Sequence, residues 1–258
     1  MTASVDVVLS PAEELPDADG WLVIDILRAT TTMCAFFEGG GRRLYPTASI
    51  EAARELRDRL AESDGSVLLM GERNALPPEG FDLGNSPLEL LALDPSRRRE
   101  AVMATTNGTK ALLKAGAQGV PVWPVCARNA SASAETALAA GGHIAILCAG
   151  RKGRSALDDG VCAGLLVDIL RSRGRVRLSD GAETALRLWR SWEGDLAGAL
   201  RSSDHGRDLL ALGFGADMDY AAQRDAAGTV FHLDLGAPHP CIVTETRRRR
   251  DPERRKKQ

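Results

Sequence analysis

The amino-acid sequence predicts an α/β fold, with one or more largely parallel sheets and helices on both faces. Short apolar runs alternate along the chain with segments of helical composition, which is typical of βαβ units. Several runs, including WLVI (21–24) and HIAIL (143–147), are almost continuously apolar, as expected for strands buried on both faces of a sheet. Polar loops follow these runs, and open α/β sheets bind ligands at the carboxyl ends of their strands.

Eight apolar runs are predicted to be strands, the last of them an edge strand. They are residues 5–10, 21–25, 43–46, 66–71, 100–106, 119–125, 143–150 and 229–235. The segments between them that have helical composition and spacing are 49–63, 108–116, 131–142 and 158–174. Near residue 180 the pattern changes to successive helical segments, which predicts a helical C-terminal part.

The length of 258 residues, with 44% hydrophobic and 26% charged residues, is that of a globular protein. Residues 1–246 are expected to form a single compact α/β unit, or two tightly packed lobes with a change near residue 180. Residues 247–258 carry eight basic and two acidic residues and are predicted to be a disordered basic tail. Because the rest of the chain is acidic, nucleic acid is not an expected partner.

The five cysteines are odd in number, widely spaced and without a CxxC pair, which argues against a disulfide framework or a zinc site. No apolar run approaches the roughly 20 residues of a membrane span, and the N-terminus lacks a signal pattern. A cytoplasmic location with no membrane partner is therefore expected. A homodimer is a further expectation, since most soluble oligomers are symmetric dimers.

The loop IDILRATTT places an acid, a guanidinium and three hydroxyls directly after a buried strand. These groups belong to Asp25, Arg28, Thr30, Thr31 and Thr32. Hydroxyls and unpaired amides at a helix start form a ready anion site. The alternative is a capped helix in which Asp25 accepts hydrogen bonds from the loop.

Three further polar loops follow strand-like runs, and each has a structural alternative. The prolines and glycines of GERNALPPEGFDLGNSP predict a rigid loop that positions functional side chains. The alternative is a turn with a purely structural role. TTNGTK opens a helix with a backbone suited to an anion, although Asn-Gly alone marks a turn. CAGRKGRSALDD combines cations with acids that suit either a helix N-terminus or Mg²⁺. The candidate residues in these loops are Glu72, Arg73, Asn85, Asn107, Gly108, Thr109, Arg151, Asp158 and Asp159.

The mixture of charges in these loops indicates the chemistry. Cations alone would suit a binding protein, whereas cations with several carboxylates suit a metal ion and an anionic substrate, as in phosphoryl transfer to water. The sequence contains no GxxxxGK[ST], GxSxG or HExxH motif, and no GxGxxG after a strand. A further polar loop, SSDHGRDL, places His205 before a predicted helix.

The motifs VIDILRATTT, GERN with GFDLGNSP, TTNGTKAL, and CAGRKGR followed by LDDGVCAG resemble the 2-phosphosulfolactate phosphatase family, known for coenzyme M biosynthesis. The motifs SDHGRDL and DMDYAAQRD extend the resemblance, which covers residues 5–228. It implies a Mg²⁺-dependent hydrolase of phosphate monoesters, with an α/β fold unlike that of the common phosphatases. The implied reaction converts 2-phosphosulfolactate and water to sulfolactate and phosphate.

Four acids are the hypothetical metal site that follows from the resemblance. Asp25, Glu72 and either Asp158 or Asp159 would hold or orient Mg²⁺ and the attacking water. If the enzyme is phosphorylated before hydrolysis, Asp25 is the candidate nucleophile; direct attack by water is the alternative. Glutamate is more usual in the family at the position of Asp158, and arginine at that of Lys110.

Arg28 and Arg73 join Asp25 and Glu72 as hypothetical catalytic residues, because arginine stabilises charge that develops in the transition state. Arginine also matches the oxyanions of a substrate that carries phosphate, carboxylate and sulfonate. The hypothetical substrate-binding residues are Thr30, Thr31, Thr32, Asn85, Asn107, Gly108, Thr109 and Arg151.

Two alternative functions remain open at the level of sequence. One is a phosphatase for another phosphorylated hydroxy acid, since the motifs indicate an anion pocket without fixing its specificity. The other is a non-catalytic binder of phosphate or sulfonate metabolites. The four carboxylates count against the binder. A protein that only binds an anion would gain nothing from acids next to its ligand, because like charges repel.

Overall fold

The structure is a computed structural model that describes residues 3–64, 67–94, 96 and 99–245. The predicted basic tail at 247–258 lies outside the described residues. The strands are β1 (Ala3–Val8), β2 (Gly20–Ile24), β3 (Arg43–Thr47), β4 (Leu68–Gly71), β5 (Glu100–Ala104), β6 (Val122–Val125), β7 (His143–Cys148), β8 (Val176–Leu178), β9 (Phe231–Asp234) and β10 (Cys241–Thr244). The α-helices are α1 (Ala29–Glu38), α2 (Ile50–Asp64), α3 (Pro87–Ala92), α4 (Gly108–Gly116), α5 (Ala130–Ala140), α6 (Leu157–Arg173), α7 (Asp180–Ser191), α8 (Leu196–Ser202), α9 (Asp204–Ala211) and α10 (Gly215–Ala221).

The first sheet has five strands in the order β6-β2-β7-β1-β8, and every pair in it is parallel. All five residues of β2 are buried, because this strand lies between two others and is covered on both faces. Burial on both faces therefore explains why the sequence of β2 is almost continuously apolar, as expected. The prediction of an α/β fold with a parallel sheet is confirmed.

The second sheet has the order β4-β5-β3-β10-β9. Its first three strands are parallel, whereas β10 pairs antiparallel with both β3 and β9. The edge strand predicted at 229–235 is β9, which lies at the end of this sheet. Two short strands, β8 and β10, were not predicted from the sequence.

The four helices α7 to α10 follow β8, so the predicted helical C-terminal part is confirmed. Helix α7 lies directly against α6 at Gly164, where a β-carbon would come within 2.0 Å of the carbonyl oxygen of Ala185. This close approach fixes α6, whose N-terminus carries two of the candidate acids. None of the helices in the described ranges is long and apolar enough to cross a membrane.

One hydrophobic cluster contains buried residues of both sheets, including Ile24 and Ile146 of the first and Leu44 and Met103 of the second. A smaller cluster on the second sheet packs under α2. The two sheets therefore share a core. This arrangement orients the carboxyl ends of β2, β4, β5 and β7 toward a common cleft, because residues that follow all four strands line its cavities. Whether the chain is one unit or two lobes stays a prediction.

Candidate active site

A cleft lies where loops from both sheets meet helix α9. Its first cavity, of about 450 Å³, is lined by residues that include Glu72 after β4, Asn107 after β5, Arg151 after β7 and His205 of α9. A second cavity of about 460 Å³ shares Arg151 and His205 with the first. The candidate loops of the sequence are thus brought together, as expected for strand ends of an α/β sheet.

Asp25 lies at the deepest point of this cleft, in a cavity of about 10 Å³. It directly follows β2, and its side-chain Oδ1 accepts a hydrogen bond from the amide of Ala29, 3.1 Å away, at the start of α1. Burial first, and then the charges of Glu72 and Asp158, raise the pKa of Asp25 to about 7. A carboxylate that is buried beside other acids is poised to accept a cation or a proton.

The three threonine hydroxyls that follow Asp25 all point to backbone carbonyls. Thr30 donates to the carbonyl of Asp25 (2.9 Å), Thr31 to that of Ile26 (2.7 Å) and Thr32 to that of Asn85 (2.9 Å). All three side chains are buried, so none donates into the cleft in this conformation. Asp25 accepts a hydrogen bond from the loop, as in the alternative interpretation, but α1 has no side-chain cap. A role of the threonines in phosphate binding stays a prediction.

The two arginines expected to be catalytic lie in different surroundings. Arg28 lines the deepest cavity, but its guanidinium is bound by the carboxylate of Asp217 and the carbonyl of Ala75. Arg73 is exposed, directly precedes a two-residue turn formed by Asn74 and Ala75, and lines none of these three cavities. The structure therefore places Arg28 near Asp25 and Arg73 outside the cleft.

Glu72 joins the loops after β4 and β5. Its Oε1 accepts from the amide of Thr106 at 2.7 Å, and its Oε2 accepts from the amide of Ala75 at 3.0 Å. The side chain lines the first and the deepest cavities. Asn85 is buried beside the deepest cavity, and its Oδ1 has no hydrogen-bond partner among the described residues.

Of the candidate residues at and after the β5 loop, Asn107 faces the cleft and Thr109 does not. Asn107 precedes α4, makes no capping hydrogen bond with its side chain and lines two of the cavities. Gly108 packs against Asp25, since a β-carbon would lie 2.6 Å from its Oδ2. Thr109 is buried in reciprocal hydrogen bonds with Thr105, so its side chain is turned away from the cleft.

The two adjacent acids at the start of α6 differ in their contacts. Asp159 holds two loops together: its Oδ1 accepts from the amide of Ile26 (3.0 Å) and its Oδ2 from that of Gly150 (2.9 Å). Asp158 is equally buried, lines the second cavity, and its Oδ1 has no hydrogen-bond partner in the described structure. Burial raises the pKa of Asp158 to about 6 and that of Asp159 well above its usual range.

His205 lines all three cavities, although it was not among the predicted site residues. Its Nδ1 lies 3.8 Å from Oδ2 of Asp158. Burial, followed by the charges of Arg151 and Arg28, lowers the pKa of His205 to about 4. The ring is therefore neutral near pH 7, and its contact with Asp158 is not an ion pair. The sequence signals for it were the polar SSDHGRDL loop and the part of that loop in the family resemblance.

The donor set fits a hard divalent cation in part. Asp25 and Asp158 are buried carboxylates whose charges repel each other, and Asp158 offers an unpartnered oxygen. Mg²⁺ needs only one or two carboxylates, because water and substrate phosphate complete its coordination. In the part of the chain that the structure describes, no group of three or more His, Cys, Asp or Glu side chains is close enough to hold a metal alone.

An α/β enzyme that handles an anionic substrate is the class that this fold and this cleft define together. A family model for 2-phosphosulpholactate phosphatase matches residues 7–235. The chain belongs to that family, as the sequence motifs predicted. It is accordingly a phosphatase, which is a phosphoric monoester hydrolase.

Curated relatives agree with the family assignment. A probable 2-phosphosulfolactate phosphatase from Deinococcus radiodurans is 45% identical over 218 residues, which cover 84% of this chain and 88% of the relative. A protein of the same description from Thermus thermophilus is 42% identical over 224 residues, with 86% and 90% coverage. A third, from Pseudothermotoga lettingae, is 35% identical over 222 residues, with 86% and 92% coverage.

Proposed function

We propose that the chain hydrolyses 2-phosphosulfolactate to sulfolactate and phosphate, and that it requires Mg²⁺. The relatives' descriptions supply the substrate. Support for the metal comes from one observation: Asp25 and Asp158 are buried acids whose charges repel each other, and one oxygen of Asp158 has no hydrogen-bond partner among the described residues. A divalent cation between them would relieve that repulsion.

Asp25 and Asp158 are the residues that would hold the ion, with Glu72 beside them. When bound, Mg²⁺ supplies positive charge that stabilises the phosphoryl oxygens as negative charge develops on them. Both oxygens of Asp159 are already engaged by backbone amides. Its proposed role is to position the loops after β2 and β7, so that Asp25 and Arg151 face the same cleft.

The phosphoryl group would lie between the acids and the cations of the first cavity. Arg151 and Lys152 line that cavity together with Asn107, and they can hold anionic oxygens while the ester bond breaks. The oxygen of water is added to phosphorus, and the alcohol of sulfolactate leaves with a proton. Two routes remain open: direct attack by water, or transfer to Asp25 followed by hydrolysis. Acid-quenched single turnovers separate them, since only the second leaves phosphate on the protein.

The proposal is tested by phosphate release from a panel of phosphorylated hydroxy acids, with and without Mg²⁺. The proteins compared are the native chain, Asp25→Asn, and Asp58→Asn as a control at an exposed helical position. We expect turnover that depends on Mg²⁺, prefers 2-phosphosulfolactate and is lost in Asp25→Asn but not in Asp58→Asn. Preference for another ester would keep the reaction and change the substrate. Release that is independent of Mg²⁺ would remove the metal from the proposal.

A further inference from the structure

The cleft contains two cavities of similar size that differ in charge. Both cavities are lined by Arg151, Lys152 and the neutral His205. The first adds the acids Glu72 and Asp208, whereas the second adds two further arginines and the acids Asp158 and Asp204. The second cavity therefore has four basic residues against two acidic ones, and the first has two against two.

Contacts within the second cavity leave one of its arginines unpaired. The charge of Asp204 is paired with Arg207. Arg154 forms no side-chain hydrogen bond or ion pair with any residue that the structure describes. Arg151, which lines both cavities, is paired with Asp208 of the first. The second cavity is thus the one with an uncommitted guanidinium.

A tight turn fixes the two arginines that border the second cavity. Arg151 and Arg154 exchange backbone hydrogen bonds of 2.8 and 3.0 Å, and Lys152 and Gly153 between them have φ values of 51° and 74°. Such a two-residue turn places the residues on either side of it opposite each other. The hydroxyl of Ser10 donates to the carbonyl of Gly153 at 2.9 Å, which ties the turn to the loop after β1.

We infer that the second cavity is the subsite for the sulfonate of the substrate, with Arg154 as its principal ligand. The inference rests on the proposed function and assigns a specificity-determining residue to it. A sulfonate keeps its negative charge across the working pH range and presents three oxygens, which suit the fork of an arginine. Asp158 lines this cavity together with Arg154, and Asp25 lines the deepest one. In this proposal the phosphoryl group lies beside these two acids, and the sulfonate extends from there toward Arg154.

The test compares two esters that differ only in this group, 2-phosphosulfolactate and 2-phospholactate. The native enzyme is expected to prefer the first in kcat/KM, and Arg154→Gln to reduce that preference by about ten-fold, as for loss of one charged hydrogen bond. Arg154→Lys, which keeps the charge, should restore part of it. Arg59→Gln, an exposed arginine of α2, should leave the ratio unchanged.

Three results would overturn the inference. They are a native enzyme that treats both esters alike, an equal loss on both esters in Arg154→Gln, and no change in that variant. If neither ester is hydrolysed, the proposed function fails, and calorimetry with sulfolactate and lactate decides the subsite on its own. Binding of sulfolactate alone, abolished in Arg154→Gln, supports the subsite; equal binding of the two acids, or binding that Arg154→Gln leaves intact, contradicts it.

Discussion

Arg28 and Asp217 form a buried ion pair, with Nη1 and Oδ2 2.7 Å apart and side chains only 2% and 3% exposed. The second carboxylate oxygen of Asp217 accepts from the hydroxyl of Ser86, at 2.7 Å. The guanidinium also lies over the ring of Phe214, 4.1 Å from its centroid. One ion pair thus joins the loop after β2 to α3 and α10, and so attaches the C-terminal helices to the cleft.

Asp217→Asn is expected to destabilise the fold strongly, because it leaves the charge of Arg28 buried without a counter-ion. Loss of one partner of a buried pair costs about 3–5 kcal/mol. The free energy of unfolding, from urea titrations, measures the effect. Asp219→Asn is the matched control on the same helix, since its pair with Arg201 is 37% and 61% exposed and contributes at most about 1 kcal/mol. Equal losses in the two variants would show that the Arg28 pair contributes little.

The sequence predicted the fold class because the apolar runs before residue 150 are long enough to show their pattern. The two strands that it did not predict are β8, with three residues, and β10, with four, of which two are buried. Runs this short carry no periodicity, and both strands form only because a longer neighbour is present. Strand β1, with six residues, supplies that neighbour for β8, and β3, with five, supplies it for β10.

The location of the cleft was predictable from the sequence, but the direction of each side chain was not. The carboxyl ends of parallel strands lie at one edge of their sheet, so Asp25 after β2 and Arg151 after β7 could be placed together from the order of the loops. Asn107 follows β5 of the second sheet, so its approach to them depends on how the two sheets pack. The partner of Arg28, however, is 189 residues away, and that of Thr32 is 53 residues away. No local pattern distinguishes an arginine that will bind substrate from one that will bind a distant acid.

Asp25→Asn is expected to make the metal-free protein more stable at alkaline pH. The folded-state pKa of Asp25 is raised from 3.8 to about 7, so the folded protein holds this proton more tightly than the unfolded chain does. The associated stability is present at low pH and is lost as the pH rises through about 7. An upper limit for the loss is about 4 kcal/mol.

Thermal unfolding of both proteins between pH 5 and 8.5 in a chelator measures this effect. The asparagine keeps an oxygen for the amide of Ala29, so the hydrogen bond at the start of α1 can persist. The advantage of the variant should grow with pH and shrink toward pH 5. A variant that is less stable than the native chain at every pH would contradict the prediction, and Asp58→Asn should show no such trend.

Gly108→Ala is expected to impair both the fold and the activity. Its β-carbon would lie 2.6 Å from Oδ2 of Asp25 and 2.6 Å from the β-carbon of Ala29. Either α4 or the loop after β2 must then move, at a cost of about 1–3 kcal/mol. Gly228→Ala is the control, since nothing lies within 4 Å of its β-carbon position. Unfolding free energies and phosphate release should change in the first variant only.

Asp158→Asn and Asp159→Asn separate the two neighbouring acids of α6 by their dependence on Mg²⁺. Asp158 has a free oxygen toward the second cavity, whereas both oxygens of Asp159 accept backbone amides. The Mg²⁺ concentration for half-maximal activity is therefore expected to rise by about ten-fold or more in Asp158→Asn, the range seen when groups around a metal are removed. In Asp159→Asn it should change much less.

Calorimetric titration with Mg²⁺ alone gives a second measurement that does not depend on turnover. Loss of binding in Asp158→Asn with near-native affinity in Asp159→Asn would agree with the contacts seen at the start of α6. The reverse order would assign the metal to Asp159 and require its hydrogen bonds to Ile26 and Gly150 to break when the ion binds. An equal loss in both variants would mean that the two carboxylates bind it together, against the division of roles argued from their hydrogen bonds.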